Sequence, residues 1–332
     1  MISVPVQDSS QVAAARRLGT AFAASVGFEA AERSKIELIL TEIATNLLKH
    51  AGEGEIVLRD LSEPYGSGVE ILALDKGPGI RDAGRAFSDG FSTAGSPGTG
   101  LGAIVRLSSQ CDIWSAPGQG TALFARVLKM PGSTSPSPTS EFRLGVINLP
   151  KPGEEVCGDA WTTTDRSEDL RVMVADGLGH GAYAQEASQA AVRLTGENSQ
   201  LAPTDLIHRI HDGLRATRGA AVAVADIQRT DNSVRYAGVG NIAGAVVTKD
   251  KVRQMVSHNG TAGHQVHKVH EFTYPWQGDS TLVMHSDGLI SHWSLIPYPG
   301  LLQKDPTLIA GVLYRDFGRG RDDVTVVVVQ EG

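Results

Sequence analysis

Two residues of this 332-residue chain, Glu42 and Asn46, have types and a spacing that suit phosphate chemistry. At positions i and i+4 of a helix they share one face. An amide oxygen can ligate Mg²⁺, and a carboxylate can accept the proton of an attacking hydroxyl group. The pair is equally compatible with an exposed polar stripe, so it needs further motifs before it indicates a site.

A turn that could contact a flat ligand follows in the sequence DKGPGI, residues 75–80. Asp75 ends an apolar run that is typical of a strand, and Gly77 and Gly79 flank a proline. Glycines let the backbone approach a ligand closely, and a carboxylate at a strand end can accept a hydrogen bond from an exocyclic amine such as that of adenine. An ordinary Gly-Pro-Gly turn is the alternative.

A glycine-rich loop, GSPGTGLGAIVRL at 95–107, leads directly into a helical pattern. Its glycines Gly98, Gly100 and Gly102 would leave N–H groups and the positive end of the helix dipole facing a phosphate. The stretch is neither the dinucleotide-binding fingerprint nor a P-loop, because the strand–turn–helix context and a following GK[ST] are both missing.

The order ExxxN, DxGPG, GTGLG and then Gly120-Thr121 is more specific than any of its parts. Over residues 1–130 it resembles the GHKL (Bergerat-fold) ATP-binding family, and within it the anti-sigma-factor serine kinases of the RsbT or RsbW type. The resemblance implies Asn46 on Mg²⁺, Asp75 on adenine and Glu42 as general base toward a protein serine. It also implies nucleotide contacts from Gly77, Gly79, Gly98, Gly100, Gly102 and Thr121. A domain that binds ATP without transferring phosphate is the alternative.

Acidic residues recur at the ends of apolar runs in the second half of the chain. They are Asp159 after Cys157-Gly158, Asp176 in VADGLGHG, Asp287 in HSDGLI, and the pair Asp322 and Asp323 before the run VTVVVV. Oxygen ligands at neighbouring strand ends can converge on hard cations such as Mg²⁺ or Mn²⁺. A single Asp-Gly pair is a common turn, so only the repeated pattern indicates a metal site.

This pattern resembles the PPM family of metal-dependent Ser/Thr phosphatases over residues 141–332, and within it the SpoIIE-like branch and RsbX-type phosphatases. The resemblance implies that Asp176 bridges two metal ions and that the Gly177 carbonyl contacts one of them. Asp287 and Asp322 complete the shell, and Asp159 holds a metal directly or through water. Asp323 is a further ligand candidate at a position where many relatives carry Asn. In that family a hydroxide held by the two metal ions attacks phosphorus.

The elements that would position these residues can be read from the hydrophobic pattern. Residues 34–50 show helical spacing, as do 182–196 and 204–217. Strands are predicted at 69–75, 120–128, 141–150, 170–176, 220–227, 233–240, 280–287 and 324–330.

The segment PGSTSPSPTS, 131–140, has no charge and three prolines, so it is predicted to link two domains, 1–130 and 141–332. The predicted fold class of the whole chain is α+β. A two-layer α/β ATP-binding sandwich is followed by an α-β-β-α phosphatase sandwich.

Composition restricts the classes of partner. The net charge is −7 and no Lys/Arg-rich run occurs, which argues against direct nucleic-acid binding. Two cysteines in different predicted domains make a disulfide framework improbable and fit a reducing cytosol. The sequence contains neither a signal-peptide pattern nor an apolar run long enough for a membrane helix, so a cytoplasmic protein is expected.

Together the two resemblances imply a partner-switching regulator with ATP, Mg²⁺ and Mn²⁺ as cofactors. Its expected partners are STAS-domain phosphoproteins or a sigma-factor regulatory protein. One domain would phosphorylate these partners and the other would dephosphorylate them. The alternative is a phosphatase with an anti-sigma or nucleotide-sensing domain that binds ATP without catalysis.

Overall fold

The computed structural model describes residues 1–61, 67–82, 99–129, 141–166 and 169–332. The chain divides into two compact units. The first consists of Met1–Thr139 together with Leu295–Arg315, and the second of Ser140–Ser294 together with Asp316–Gly332. The predicted linker, 131–140, lies outside the described residues.

A five-stranded antiparallel sheet forms the first unit, in the order β1-β2-β3-β5-β4. Its strands are β1 (Ile2–Val6), β2 (Gly54–Leu61), β3 (Gly68–Asp75), β4 (Gln110–Ser115) and β5 (Thr121–Leu128). The structure confirms the strands predicted at 69–75 and 120–128. Strands β1, β2 and β4 were not predicted, because β1 and β4 are short and β4 carries polar residues at its start.

Three helices pack on one face of this sheet: α1 (Ser9–Ser25), α2 (Ala30–Asn46) and α3 (Thr99–Leu107). Helix α1 begins with a capping box. The Asp8 carboxylate accepts from the Gln11 backbone N–H, and the Gln11 side-chain oxygen accepts from the Asp8 backbone N–H. Helix α2 confirms the predicted helical spacing and buries Ile36, Ile39, Leu40 and Ile43. It ends at Asn46 and continues as a π-helical turn, Leu47–Ala51.

The opposite face of the sheet is also apolar. Seven consecutive residues of β3 are buried, although alternate side chains of a strand point to opposite faces. Residues of Leu295–Arg315, which include most of helix α6 (Pro306–Phe317), cover this second face. A Cβ at Gly311 would lie 2.9 Å from Leu72 and 3.0 Å from Leu74, so the helix backbone comes close to β3. Residues 295–315 were assigned to the second domain by sequence, but their contacts group them with the first unit.

A buried polar network holds this segment on the sheet. Arg126 on β5 donates to Glu70 on β3, and its other nitrogens donate to Asp305 and to Thr307. Thr307 in turn donates to Glu70. Because Arg126 and Glu70 are 2% exposed, the network satisfies charges that would otherwise be costly to bury.

The second unit contains two five-stranded antiparallel sheets, in the orders β15-β10-β9-β8-β7 and β12-β11-β16-β17-β6. The strands of the first are β7 (Asp159–Arg166), β8 (Asp169–Gly177), β9 (Ala220–Gln228), β10 (Ser233–Val239) and β15 (Phe272–Pro275). Those of the second are β6 (Phe142–Leu149), β11 (Ala243–Val247), β12 (Val252–Gln254), β16 (Thr281–His285) and β17 (Val324–Glu331). A short hairpin of β13 (Gly260–Thr261) and β14 (Gln265–Val266) completes the unit.

Helices α4 (Ala182–Glu197) and α5 (Pro203–Gly213) pack on the sheet that contains β8 and β9. They confirm the two predicted helices, although α5 ends four residues earlier than expected. A 3₁₀ turn at Leu301–Gln303 precedes α6. The mixed α+β class is confirmed.

No helix in the described ranges is both long and apolar enough to cross a membrane.

Candidate functional sites

The first site is built around Asp75, the last residue of β3. Its Oδ1 accepts hydrogen bonds from the backbone N–H of Gly77, 2.8 Å away, and of Thr121, 3.2 Å away. Burial raises the pKa of the Asp75 carboxyl, and these bonds together with the charge of Arg315 oppose that rise. The carboxylate is thus fixed at the end of β3.

Two glycines with positive φ let the neighbouring turns close on Asp75. Gly79 has a φ of +71° and Gly120 a φ of +70°. A Cβ at Gly79 would lie 2.0 Å from the Ala116 carbonyl oxygen, and one at Gly120 would lie 2.0 Å from the Asp75 carbonyl oxygen. Both positions therefore require glycine for conformation and for space.

Ser115 connects the two turns. Its hydroxyl donates to the Gly120 carbonyl, lies 3.0 Å from the Thr121 hydroxyl and accepts from the Ile80 N–H. Sequence reasoning did not identify Ser115. A polar residue directly after the buried pair Ile113 and Trp114 was the signal that could have revealed it.

The structure places Glu42 and Asn46 beside Gly100, in the first turn of α3. A Cβ at Gly100 would lie 2.8 Å from Glu42 Oε2 and 3.8 Å from both terminal atoms of the Asn46 amide. Asn46 stands at the junction of α2 and the π-helical turn, a feature that occurs often at functional sites. Gly102 lies in α3, while Gly98 lies outside the described residues.

The second site joins acidic residues from both sheets of the second unit. Asp159 and Asp176 are register partners on the adjacent strands β7 and β8. Asp159 is buried, and its Oδ2 accepts a 2.6 Å hydrogen bond from Ser286, which follows β16. The Ser286 hydroxyl accepts from the N–H of Thr325 on β17. Ser286 thus ties Asp159 of one sheet to the other sheet.

The remaining acidic residues differ in how they are held. Asp287 accepts a 2.8 Å hydrogen bond from the amide of Asn241. Asp323 is buried, and its Oδ1 accepts from the Lys151 N–H at 2.8 Å. Asp322 precedes it and accepts a local hydrogen bond from the Asp323 N–H at 3.0 Å. Asp323 therefore anchors the loop at Lys151, whereas Asp322 is half-exposed at the strand start.

Glycines shape this site as well. A Cβ at Gly177 would lie 2.0 Å from the Ala184 carbonyl oxygen, so the first turn of α4 packs directly on the strand end. A Cβ at Gly288 would lie 2.0 Å from the Asp323 carbonyl oxygen. At both Asp176-Gly177 and Asp287-Gly288, a second backbone therefore crosses closely.

Negative charge accumulates at this site. Burial raises the pKa of Asp176, and the nearby Asp159, Asp287, Asp322 and Asp323 raise it further. Burial likewise raises the pKa of Asp159, with the Ser286 hydrogen bond opposing it. None of these five carboxylates forms an ion pair within the described part of the chain.

The donor set fits hard divalent cations, because it consists of negatively charged carboxylates together with backbone carbonyl oxygens. No three His, Cys, Asp or Glu side chains of the described residues are grouped so as to hold one ion by themselves. Each ion would therefore have few protein ligands and retain several waters, which is usual for Mg²⁺.

Cys157 lies next to these carboxylates, and its sulfur donates to the Leu149 carbonyl. Burial raises the pKa of its thiol, and the charges of Asp159 and Asp323 raise it further. A thiol in this state is a poor nucleophile.

Two protein families match separate parts of the chain. The histidine kinase-like ATPase domain matches residues 6–127, and the stage II sporulation protein E (SpoIIE) family matches residues 166–331. Among individual proteins, the serine/threonine-protein kinase RsbT of Bacillus subtilis (strain 168) is 34% identical over 122 residues, which are 37% of this chain and 92% of RsbT. The phosphoserine phosphatase RsbX of the same organism is 28% identical over 147 residues, which are 43% of this chain and 73% of RsbX.

Two solved structures share the fold. A chain from the bacterial stressosome superposes with a TM-score of 0.54 at 24% identity and covers 57% of this chain and 99% of its own length. RsbX crystallised with magnesium gives a TM-score of 0.51 at 22% identity, covering 57% of this chain and 96% of its own length. At these identities the likeness concerns the fold.

Proposed function

Because the chain belongs to the histidine kinase-like ATPase family over residues 6–127 and to the SpoIIE family over residues 166–331, we propose that it is a partner-switching regulator. Its second unit is a metal-dependent phosphatase of phosphoserine or phosphothreonine in proteins. Its first unit is an ATP-binding domain of the serine-kinase type. The observation that carries the proposal is the cluster of carboxylates around Asp176, where burial and mutual repulsion raise the pKa of Asp176. These carboxylates form no ion pair among the described residues.

Within the phosphatase site each residue has a distinct role. Asp176 and the Gly177 carbonyl, with Asp287 and Asp322, would hold two Mg²⁺ or Mn²⁺ ions, and Asp159 would complete the set. When bound, such ions activate water at neutral pH and polarise phosphoryl oxygens. Ser286 and Asn241 orient Asp159 and Asp287 by hydrogen bonds. Asp323 positions the loop at Lys151 through Oδ1 and remains a further candidate metal ligand, and no side-chain nucleophile is needed.

Within the ATP site the residues divide by the part of the nucleotide they would contact. Asp75 would accept from the adenine amine, with Gly77, Gly79 and Thr121 shaping the base pocket. Asn46 would ligate Mg²⁺, and the loop of Gly98, Gly100 and Gly102 would surround the phosphates. Glu42 beside Gly100 would take the proton of the attacking serine hydroxyl.

The proposed substrates are STAS-domain proteins phosphorylated on Ser or Thr. Support comes from the similarity to RsbT and RsbX, a kinase and a phosphoserine phosphatase that here match one chain. A kinase-like and a phosphatase unit on one chain would set the phosphorylation level of the same partners. The acidic net charge of −7 argues for a protein partner rather than a nucleic acid.

Phosphoproteomics of three strains tests the proposal: wild type, Asp176→Asn and Glu42→Gln, each at the native locus. We expect one STAS-domain serine or threonine to gain phosphate in the Asp176 strain and to lose it in the Glu42 strain. If no STAS protein changes in either strain, the substrate assignment is wrong.

A second candidate function assigns all chemistry to the phosphatase and only ATP binding to the first unit. The half-exposed position of Glu42 at the glycine-rich loop is compatible with binding alone. In that case the Glu42→Gln strain would match wild type while the Asp176→Asn strain would still accumulate phosphate.

A further inference from the structure

We propose that Arg315 is a positioning residue for the adenine end of the nucleotide site, supplied by a segment remote in sequence. The inference rests on the proposed ATP binding by the first unit. Specificity for the base would then depend on a contact from residues 295–315 in addition to the motifs of residues 1–130.

Arg315 contacts the ends of β3 and β5, which carry the residues proposed to bind the base. Arg315 Nη1 donates to the Asp75 carbonyl oxygen at 2.7 Å and lies 3.4 Å from the Thr121 carbonyl oxygen. Asp75 and Thr121 are register partners at the ends of β3 and β5. One guanidinium group therefore holds together the two strand ends that form the base pocket.

Little space remains around these atoms. Gly120 already approaches the Asp75 carbonyl so closely that a Cβ there would lie 2.0 Å from it. The backbone of this turn is therefore enclosed by Gly120 and by the Arg315 guanidinium. A shift of Arg315 would move the Asp75 backbone and, with it, the carboxylate.

The charge of Arg315 also favours a carboxylate at Asp75 that can accept hydrogen bonds. Burial favours the protonated form of Asp75, and the nearby guanidinium favours the ionised form. An ionised carboxylate can accept on both oxygens, so Oδ2 stays an acceptor for an exocyclic amine while Oδ1 accepts from Gly77 and Thr121. Arg315 thus supports Asp75 by geometry and by electrostatics.

Arg315 is itself held in place by its neighbours. Tyr314 donates to Glu55 on β2 at 2.9 Å, and the Arg315 guanidinium lies 5.9 Å from the centre of the Trp114 ring. Further along the segment, Lys304 forms a 2.8 Å ion pair with Asp112 on β4. The contacts at Tyr314 and Trp114 place Arg315 before any nucleotide binds, which reduces the cost of ordering the site, whereas the Lys304 pair holds a distant part of the segment on β4.

Base selectivity distinguishes positioning from a merely structural role. Inosine triphosphate differs from ATP at the exocyclic amine, the group that Asp75 would contact. We would measure the dissociation constants of Mg-ATP and Mg-ITP by calorimetry on the full chain. The variants are Arg315→Gln, Arg315→Lys, Asp75→Asn as a benchmark, and Lys304→Gln as a control that loosens the same segment on another strand.

We expect wild type to prefer ATP, and Arg315→Gln to reduce the preference about tenfold, the effect of one charge-assisted hydrogen bond. Arg315→Lys should keep part of the preference, Asp75→Asn should lose it, and Lys304→Gln should retain it. Thermal melts would verify that each variant folds.

Three outcomes would overturn the inference. An unchanged preference in Arg315→Gln, with Asp75→Asn losing it, would leave ATP binding intact and remove the role of Arg315. Equal weakening of both nucleotides by Arg315→Gln would reduce the residue to a structural one. Wild-type protein that binds neither nucleotide would contradict the proposed ATP site and the inference together.

Discussion

Ser286 donates a 2.6 Å hydrogen bond to the buried carboxylate of Asp159, although the two residues belong to different sheets. The serine hydroxyl also accepts from the Thr325 N–H, so its orientation is fixed. This relationship makes the geometry of the carboxylate cluster depend on the packing of two sheets, and it leads to the first prediction.

Replacing Ser286 by Ala should weaken metal binding. Asp159 would lose the hydrogen bond that favours its ionised form, and groups that orient metal ligands typically contribute 10- to 100-fold in affinity or activity. We expect about a tenfold rise in the Mn²⁺ concentration that gives half-maximal phosphatase activity. Ser280→Ala is the matched control, because Ser280 is similarly buried and its hydroxyl accepts from the local Gln277 N–H. An equal effect of both variants would contradict the role of Ser286.

Metal should stabilise the protein more at pH 8 than at pH 6. Burial and mutual repulsion raise the pKa of Asp159 and Asp176 above the usual 3.8, so the metal-free folded state holds protons that the unfolded state has released. Its stability therefore falls as pH rises through this window. Thermal melts in EDTA and in Mn²⁺ at both pH values would measure the difference. A metal-induced rise in melting temperature that is the same at both pH values would contradict the idea that metal displaces protons from Asp159 and Asp176.

Replacing Arg126 by Met should destabilise the first unit. Burial lowers the pKa of Arg126, but the charges and hydrogen bonds of Glu70 and Asp305 raise it by more, so the guanidinium stays charged and neutralises two acids. Removing one partner of a buried pair costs about 3–5 kcal/mol. Urea unfolding followed by tryptophan fluorescence would measure the loss, and Glu70→Leu added to Arg126→Met should restore part of it. A loss below about 1 kcal/mol, the level of an exposed pair, would contradict the prediction.

Replacing Gly100 by Ala should reduce phosphate transfer more than ATP binding. The added Cβ would lie 2.8 Å from Glu42 Oε2 and would displace the proposed general base. We expect a loss of about 100-fold in transfer, within the usual contribution of a general base, and a much smaller change in ATP affinity. Gly196→Ala serves as control, because a Cβ there meets nothing within 4 Å. Equal losses of transfer and binding would argue against Glu42 as base.

Local sequence predicted the parts of both sites that local chemistry determines. Asp75, Gly79 and Gly120 could be identified because strand ends and tight turns restrict residue type over a few positions. The same holds for Asp176 with Gly177. The positions of the helices followed from hydrophobic spacing, as α2 shows.

The rest depended on contacts between distant parts of the chain. Arg315 meets Asp75 across 240 positions, and Ser286 meets Asp159 across 127, so no local pattern could reveal either pair. The assignment of residues 295–315 to the first unit follows from the apolar second face of β3, a property of the folded sheet. Strand β4 was missed because its polar first residues break the apolar alternation.

The most direct test of the central claim is the hydrolysis of p-nitrophenyl phosphate by the purified full chain, with and without Mn²⁺. We would compare wild type, Asp176→Asn and the control Asp212→Asn after verifying that all three are folded. The control changes an exposed carboxylate on α5. The account predicts activity that requires metal, persists in the control and falls at least about 100-fold in Asp176→Asn. Activity that survives EDTA, or that Asp176→Asn retains, would contradict it.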